Sequence, residues 1–331
     1  MTDGLYTPDP PTPTRRRWDR WLLVGLVALL LLGLGALVAD AGWAETREAV
    51  LRLTPLDIAI LLTLSLANYL TRAVRWHLFA RRLGLSTGFD RNLLHFFGGF
   101  AMSVTPGRVG ELVRTRWLER ETGWSMARTA PLILVDRAAD LAAMAAILGG
   151  TLALTGMGPA KGLPVAIGAL AAAALATRPR VLSMLADLGY RMTGRFARLF
   201  VRVRHAAASL GQFNAVGLMA GATALGIVGW AAEGWAFHLL LGWMGADVRL
   251  APAIAIFVFS TLAGGLTGAP GGVGGAEAAM VALLTLEGVP PEISVPATLV
   301  IRATTLWFAL GLGLVAFPLA ERTSARRAHA H

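Results

Sequence analysis

A run of 19 residues without a charge, from Trp21 to Ala39, constrains the fold of this chain more than any other feature. A helix of about 20 apolar residues is long enough to cross the hydrocarbon core of a bilayer. Charged residues make up only 15% of the sequence, against roughly a quarter in soluble domains. Further low-charge runs are Leu56–Leu70, Leu141–Ala160, Leu163–Thr177, Phe213–Ala232, Leu250–Ala276 and Ala303–Ala320. We therefore predict an all-α polytopic membrane protein with about eight membrane segments.

Arginine dominates the charge of the chain and orients its segments. The formal net charge is +10, and basic residues of membrane proteins collect in cytoplasmic loops and tails. We predict a disordered basic cytoplasmic tail over residues 1–20, one transmembrane domain over residues 21–320 and a second cytoplasmic tail over residues 321–331. Within the domain, residues 178–208 predict an amphipathic helix on the cytoplasmic leaflet. Short basic loops of this kind favour anionic lipids over nucleic acid as partners.

Two apolar runs are broken by proline and glycine and followed at once by a glutamate. The first reads SVTPGRVGEL and the second GLTGAPGGVGGAE. Proline lacks an amide donor and glycine permits tight turns, so the helix can stop and restart at each site. Two re-entrant hairpins or two pairs of full spans are both compatible with the segment lengths. The turn residues are Pro106, Gly107 and Gly110 in the first break, and Pro270, Gly271, Gly272, Gly274 and Gly275 in the second.

Several signals recur in the same order in the two halves, about residues 56–156 and 217–318. His77 lies seven residues before Gly84, and His238 lies seven residues before Gly245. A charge stands five residues before each histidine. By the distribution of arginines, the first break faces the cytoplasm and the second faces outside. This pattern predicts an inverted repeat with broken helices that meet near the midplane of the membrane.

The helix that restarts after each break exposes amide groups and a positive dipole end, which suit an anion such as a lipid phosphate. Arg302 lies well inside an apolar segment, so it either pairs with a carboxylate such as Glu277 or holds a phosphate. Asp136 and Asp140 share a helix face. They can form an ion-pair cluster at the cytoplasmic edge, or they can serve as a gate or as a site for a cationic headgroup or a proton. The candidate substrate-binding residues are Arg302, Glu277, Arg137, Asp136, Asp140, Glu111, Arg108, Arg72 and Glu233.

Each of the remaining candidates has a simpler alternative role. Glu111 and Glu277 can cap the restarting helices and have no role in substrate binding. Positive-inside topology alone can explain Arg108. Arg72 and Glu233 come into contact only if the two repeats pack as a pair.

Four stretches together resemble a known family: TPGRVGELVRTRWL, LVDRAADLAAM, APGGVGGAEAAMVALL and VIRATTLWFALGLG. They are similar to the flippase-like family that includes the membrane region of lysylphosphatidylglycerol synthases. The resemblance covers roughly Leu22 to Phe317. It implies lipid handling in the bacterial inner membrane, and the basic residues at both ends of the chain predict that both termini lie in the cytoplasm. Only about a dozen residues follow the last span, so the resemblance does not extend to the soluble aminoacyl-transferase domain of those synthases.

We expect a lipid flippase or scramblase that moves an anionic, aminoacylated or polyprenyl-linked lipid between leaflets. The alternatives are a non-transporting scaffold for a lipid- or glycan-modifying enzyme, which would then be its partner, and an intramembrane lipid transferase. The sequence contains no P-loop, HExxH or GxSxG motif, so nothing indicates an enzyme. It contains no cysteine, and we expect neither a cofactor nor a metal site.

Overall fold

The computed structural model describes residues 47–48, 50–103, 105, 111–154, 184, 213 and 215–328. The regular elements of this part are all helices. The first half contains α1 (Pro55–Arg82), α2 (Phe89–Phe100), α3 (Val113–Thr122), α4 (Met126–Thr129) and α5 (Pro131–Leu154). The second half contains α6 (Val216–Trp243), α7 (Leu250–Leu266), a 3₁₀ turn (Pro270–Gly272), α8 (Gly275–Leu286), α9 (Pro291–Arg302), a π-helical turn (Ala303–Trp307) and α10 (Phe308–Ala328).

The sequence sets both ends of α1. Thr54 accepts a hydrogen bond from the amide of Asp57, and the Asp57 carboxylate accepts one from the amide of Thr54, so the two residues form a capping box. Proline at position 55 suits the first helical turn, where its missing amide costs nothing. At the other end Gly84 takes φ of +91°. Its left-handed backbone ends the helix and turns the chain toward α2.

Helix α6 repeats the length and the ending of α1. Both helices have 28 residues. The amides of residues 83, 84 and 85 donate to the carbonyls of residues 79, 81 and 80, and those of residues 244, 245 and 246 donate to the carbonyls of residues 240, 242 and 241. Every donor and acceptor of the second set lies 161 positions after its counterpart in the first set. The chain therefore builds the same helix and cap twice.

Glycines bring α1 and α6 into close contact. A methyl group on Gly229 would lie 3.2 Å from the Cα atom of Asn68, and one on Gly226 would lie 3.1 Å from Nη1 of Arg75. Further along, the rings of Phe213 and Phe79 are 5.7 Å apart. Later residues of α6 thus contact earlier residues of α1, so the two helices run antiparallel. Small residues of this kind allow helices to approach closely in a membrane.

The second predicted break is present between α7 and α8. Gly271, Gly272 and Gly274 have φ values of +63°, +69° and +83°, a backbone region that glycine enters without the steric cost of a Cβ atom. A methyl group on Gly272 would lie 2.9 Å from the carbonyl carbon of Gly264. The break is therefore packed against the end of α7. The first predicted break, with Pro106, Gly107 and Gly110, lies outside the described residues.

Helices α9 and α10 form one long element with an irregular middle. The π-helical turn begins directly after Arg302, and such turns occur often at functional sites. The helix then continues through Ala328, which includes most of the segment that the sequence assigned to a cytoplasmic tail. Glu321 in this extension accepts hydrogen bonds from Arg116, Arg120 and the indole of Trp117. These bonds fasten α10 to α3.

Three helices in the described part are long and apolar enough to cross a membrane: Pro55–Arg82, Val216–Trp243 and Pro291–Arg327. Shorter apolar helices, Leu250–Leu266 and Pro270–Leu286, flank the second break. The chain is a polytopic helical membrane protein, as its composition predicts. The predicted amphipathic segment 178–208 and the first predicted span fall almost wholly outside the described residues.

Candidate functional site

Buried ion pairs join α1 to α5 in the first half. The Arg75 guanidinium donates to Asp136 Oδ1 from Nε at 2.9 Å and from Nη2 at 2.6 Å. Its Nη2 atom also lies 2.7 Å from Asp140 Oδ1. Arg72, one turn earlier, donates to Asp140 Oδ2 at 2.9 Å. Because all four side chains are buried, each charge depends on its partners for the solvation that water would otherwise give.

Arg137 extends this network to Glu111. It lies 2.9 Å from Asp136, 3.4 Å from Asp140 and 3.5 Å from Glu111. Glu111 is also 3.6 Å from Arg114. The Arg114 guanidinium lies over the rings of Phe96 and Trp76, at 4.5 and 5.2 Å from their centroids. Burial lowers the pKa of this guanidinium against the opposing attraction of Glu111.

A separate ion pair holds the second break in place. Arg302 Nε donates to Glu277 Oε1 at 2.6 Å, and Arg302 Nη2 donates to the carbonyl oxygen of Gly271 at 2.9 Å. One guanidinium thus binds both the turn and the first turn of α8. Of the two roles predicted for Arg302, the structure places it in the pair with Glu277. The N-cap residue of α8 is Gly274, which has no side chain with which to cap the helix.

A cavity of about 60 Å³ lies where the two halves meet. It is large enough for several water molecules. Helices α1 and α6 line one side, and residues at and after Arg302 line another. The lining includes Tyr69, Arg72, Phe100, Ser103, Glu111, Trp230, Glu233, Phe257, Thr261, Arg302, Thr305, Leu306 and Ala309. The cavity therefore has charged side chains from both halves and apolar walls.

Four of the predicted site residues, Arg72, Glu111, Glu233 and Arg302, meet at this cavity. Arg72 and Glu233 share it, although no described residue forms an ion pair with Glu233 within 4.0 Å. Asp136, Arg137 and Asp140 lie behind Arg72 in the network, and Glu277 lies behind Arg302. Arg108 falls outside the described residues.

The sequence did not single out several residues that complete the site. Arg75 is fully buried between two aspartates. Arg72 and Arg75 stand four and seven residues after Asn68 in the sequence, which puts all three on one helix face, and this spacing could have identified Arg75. Trp230 donates to Asp140 Oδ1 at 3.3 Å and lies 5.1 Å from the Arg72 guanidinium. Tyr69 donates to the carbonyl oxygen of Thr305. Neither aromatic contact has a signal in the sequence, because the partners are far apart in the chain.

These features define a class: an all-helical membrane protein with buried charges around a cavity between its two halves. A model of the family described as the lysylphosphatidylglycerol synthase TM region matches residues 21–313, and the chain belongs to this family. The resemblance found in the sequence is thereby confirmed.

Two relatives are UPF0104 membrane proteins from Methanothermobacter thermautotrophicus. One is 24% identical to this chain over 323 residues, an alignment that covers 88% of this chain and 94% of the relative. The other is 30% identical over 91 residues, which covers 28% of this chain and 27% of the relative. The first similarity thus extends over almost the whole length of both chains.

Proposed function

We propose that the chain moves a lipid with an anionic headgroup between the two leaflets of its membrane. The charged cavity between the halves is the observation that carries this proposal. A phosphate that leaves water for the bilayer loses its hydration, which is very costly unless protein groups replace it. Buried arginines supply such groups, since the guanidinium fork matches the geometry of a phosphate.

The cavity offers a phosphate two arginines from different halves. Arg72 is 5% exposed and Arg302 is 6% exposed, and both line the cavity. Each is held by an acid that does not itself line the cavity, Arg72 by Asp140 and Arg302 by Glu277. These acids fix the orientation of the guanidinium groups before a lipid arrives. Pre-positioned donors of this kind cost less to organise upon binding.

The apolar part of the cavity wall supports the same function. Phe257, Leu306 and Ala309 stand beside the charged residues. Acyl chains need no polar groups and can remain in the surrounding lipid while the headgroup crosses. The headgroup path therefore has to be polar only along a narrow strip.

An inverted repeat, which we propose as the basis of this path, is supported by the two long helices. Helices α1 and α6 have the same length and the same cap 161 positions apart. They also pack antiparallel, with Gly229 against Asn68, two positions that correspond at this spacing. Equivalent helices that run in opposite directions through a membrane are the defining feature of such repeats.

Reconstitution tests the proposed transport. Purified protein in liposomes that contain a fluorescent phosphatidylglycerol should expose inner-leaflet lipid to a membrane-impermeant quencher faster than empty liposomes do. Arg302→Gln should reduce the rate at least about tenfold, because one lost charge-assisted contact is worth about 1.5–3 kcal/mol.

Arg249→Gln is the matched control, since Arg249 is an exposed arginine in the same half. It should leave the rate unchanged. If wild-type protein transfers no lipid, or if Arg302→Gln transfers at the wild-type rate, the proposal fails and a scaffold role is favoured.

A further inference from the structure

Glu233 differs from every other acid at the cavity. Its side chain belongs to α6, is 3% exposed and lines the cavity. Glu111, Asp136, Asp140 and Glu277 each lie within 4.0 Å of an arginine. In the described part of the chain, Glu233 has no such ion pair. The side-chain amide of Asn68 lies close enough to the Glu233 carboxylate to interact with it, but it makes no well-formed hydrogen bond with a described residue.

The cations near Glu233 are already bound to other groups. Arg72 on α1, Asp140 on α5 and Arg302 on α9 are charged residues near its carboxylate. The Arg72 guanidinium donates to Asp140, and the Arg302 guanidinium donates to Glu277 and to the Gly271 carbonyl. Tyr69 on α1 and Glu111 face the same cavity. Helix α7 contributes only Phe257 and Thr261 to it.

A buried carboxylate without its own cation is unfavourable as an anion. In practice such a group takes up a proton and becomes neutral. The carboxylic acid can then donate a hydrogen bond to the unsatisfied amide oxygen of Asn68 or to cavity water. Glu233 therefore has a physical reason to change its protonation state that its paired neighbours lack.

Protonation of Glu233 changes the net charge of the site. The cavity and the adjoining network contain, in the described part of the chain, the arginines 72, 75, 114, 137 and 302 and, besides Glu233, the acids Glu111, Asp136, Asp140 and Glu277. With Glu233 ionised, these charges cancel. With Glu233 protonated, one positive charge remains, and a single phosphate neutralises it.

We propose that Glu233 is a proton-binding site that couples protonation to the binding of an anionic headgroup. The proton binds first, the cavity gains a net positive charge, and the phosphate follows. Loss of the proton restores the balance and releases the headgroup. The coupling part of this inference rests on the proposed lipid transport, whereas proton binding at Glu233 does not.

Infrared spectroscopy tests proton binding without any transport. The protein is placed in nanodiscs of a zwitterionic lipid, and difference spectra are recorded as the pH is lowered. A protonated carboxylic acid in a buried site shows a carbonyl-stretch band that a carboxylate lacks. We expect this band in wild type, its loss in Glu233→Gln, and a shifted band in Glu233→Asp. Glu287→Gln, which changes an exposed glutamate, should leave the band unchanged.

The transport assay tests the coupling. In liposomes that contain fluorescent phosphatidylglycerol, the wild-type rate should rise as pH falls, by up to about tenfold per pH unit for one titrating group. Glu233→Gln imitates the protonated acid but cannot lose a proton to release the headgroup, so it should transfer lipid more slowly than wild type does at low pH, at a rate that does not depend on pH. Glu287→Gln should keep the wild-type pH dependence.

The outcomes separate the two proposals. A wild-type protein without transport but with a Glu233 band refutes the proposed function and leaves the proton site in place. A band that persists in Glu233→Gln, or no titrating band in wild type, overturns the proton site. Transport with the same pH dependence in wild type and Glu233→Gln overturns the coupling.

Discussion

The two halves of the molecule stabilise their buried charges in different ways. In the first half, Arg72, Arg75 and Arg137 share Asp136 and Asp140 among them, and nearly every charge has more than one partner. In the second half, one guanidinium serves one carboxylate and one backbone carbonyl. In a shared network, several ion pairs hold each side chain in its position, but the removal of one residue leaves several buried charges with fewer partners. A single pair beside a glycine-rich turn leaves more freedom to rearrange.

The difference assigns separate tasks to the halves. The network lies between two long helices, α1 and α5, and fixes them against each other. The pair of Arg302 and Glu277 holds a broken helix, where the backbone can change conformation at glycine. We infer that the first half provides the rigid wall of the cavity and the second half the part that can move.

The largest expected effect comes from breaking the network. Asp136→Ala leaves Arg75, a fully buried cation, with Asp140 as its remaining carboxylate, and should lower the free energy of unfolding by about 3–5 kcal/mol. Thermal unfolding of purified protein in detergent measures this loss. Glu277→Ala should cost less, because Arg302 keeps the Gly271 carbonyl and faces the cavity. Equal losses in the two variants would remove the contrast between the halves.

Alanine substitutions in the break between α7 and α8 should lower the free energy of unfolding most where the new methyl group has least space. Gly272→Ala forces a left-handed alanine against the Gly264 backbone and should destabilise the protein by about 2–3 kcal/mol. Gly274→Ala meets open space around the new methyl group, so it bears only the backbone cost of its φ of 83° and ψ of −54°, about 1–2 kcal/mol, and should destabilise the protein less than Gly272→Ala does. The same unfolding measurement compares them. A Gly272 variant as stable as the Gly274 variant would mean that the break does not pack tightly on α7.

Exchanging charges should give the smallest and most specific effect. Arg302→Glu combined with Glu277→Arg keeps one pair, so the double variant should be about 1–2 kcal/mol more stable than the two single losses predict. The corresponding exchange of Arg75 and Asp136 should recover nothing, since Arg137 and Asp140 also bind these residues. A double-mutant cycle of unfolding free energies gives both values. Recovery in the first half would show that its pairs act independently.

Local features of the fold could be predicted from the sequence because short-range rules govern them. The apolar runs predict the long helices, and the Pro-Gly stretch predicts the break before α8. The pair of Arg302 and Glu277 was one of two alternatives because both residues stand in apolar segments that contain few other charges.

The site as a whole could not be predicted in this way. Arg75 and Asp136 are 61 residues apart, and which helices meet depends on packing that no periodicity encodes. The lack of an ion pair at Glu233 is even harder to predict from the sequence, because it arises only since Arg72 pairs with Asp140 and Arg302 pairs with Glu277. The sequence shows which charges stand in apolar segments, whereas their burial and pairing are properties of the assembled helices.

The hydrogen bond from Tyr69 to the Thr305 carbonyl connects α1 directly to the π-helical turn. Such a bond contributes about 0.5–1.5 kcal/mol, only one to a few times the thermal energy. It therefore sets a resting distance between a helix of the rigid wall and the irregular stretch beside Arg302, yet ambient fluctuations suffice to open it. The bond is thus a weak connection between the two halves, and thermal motion alone can separate them at this point.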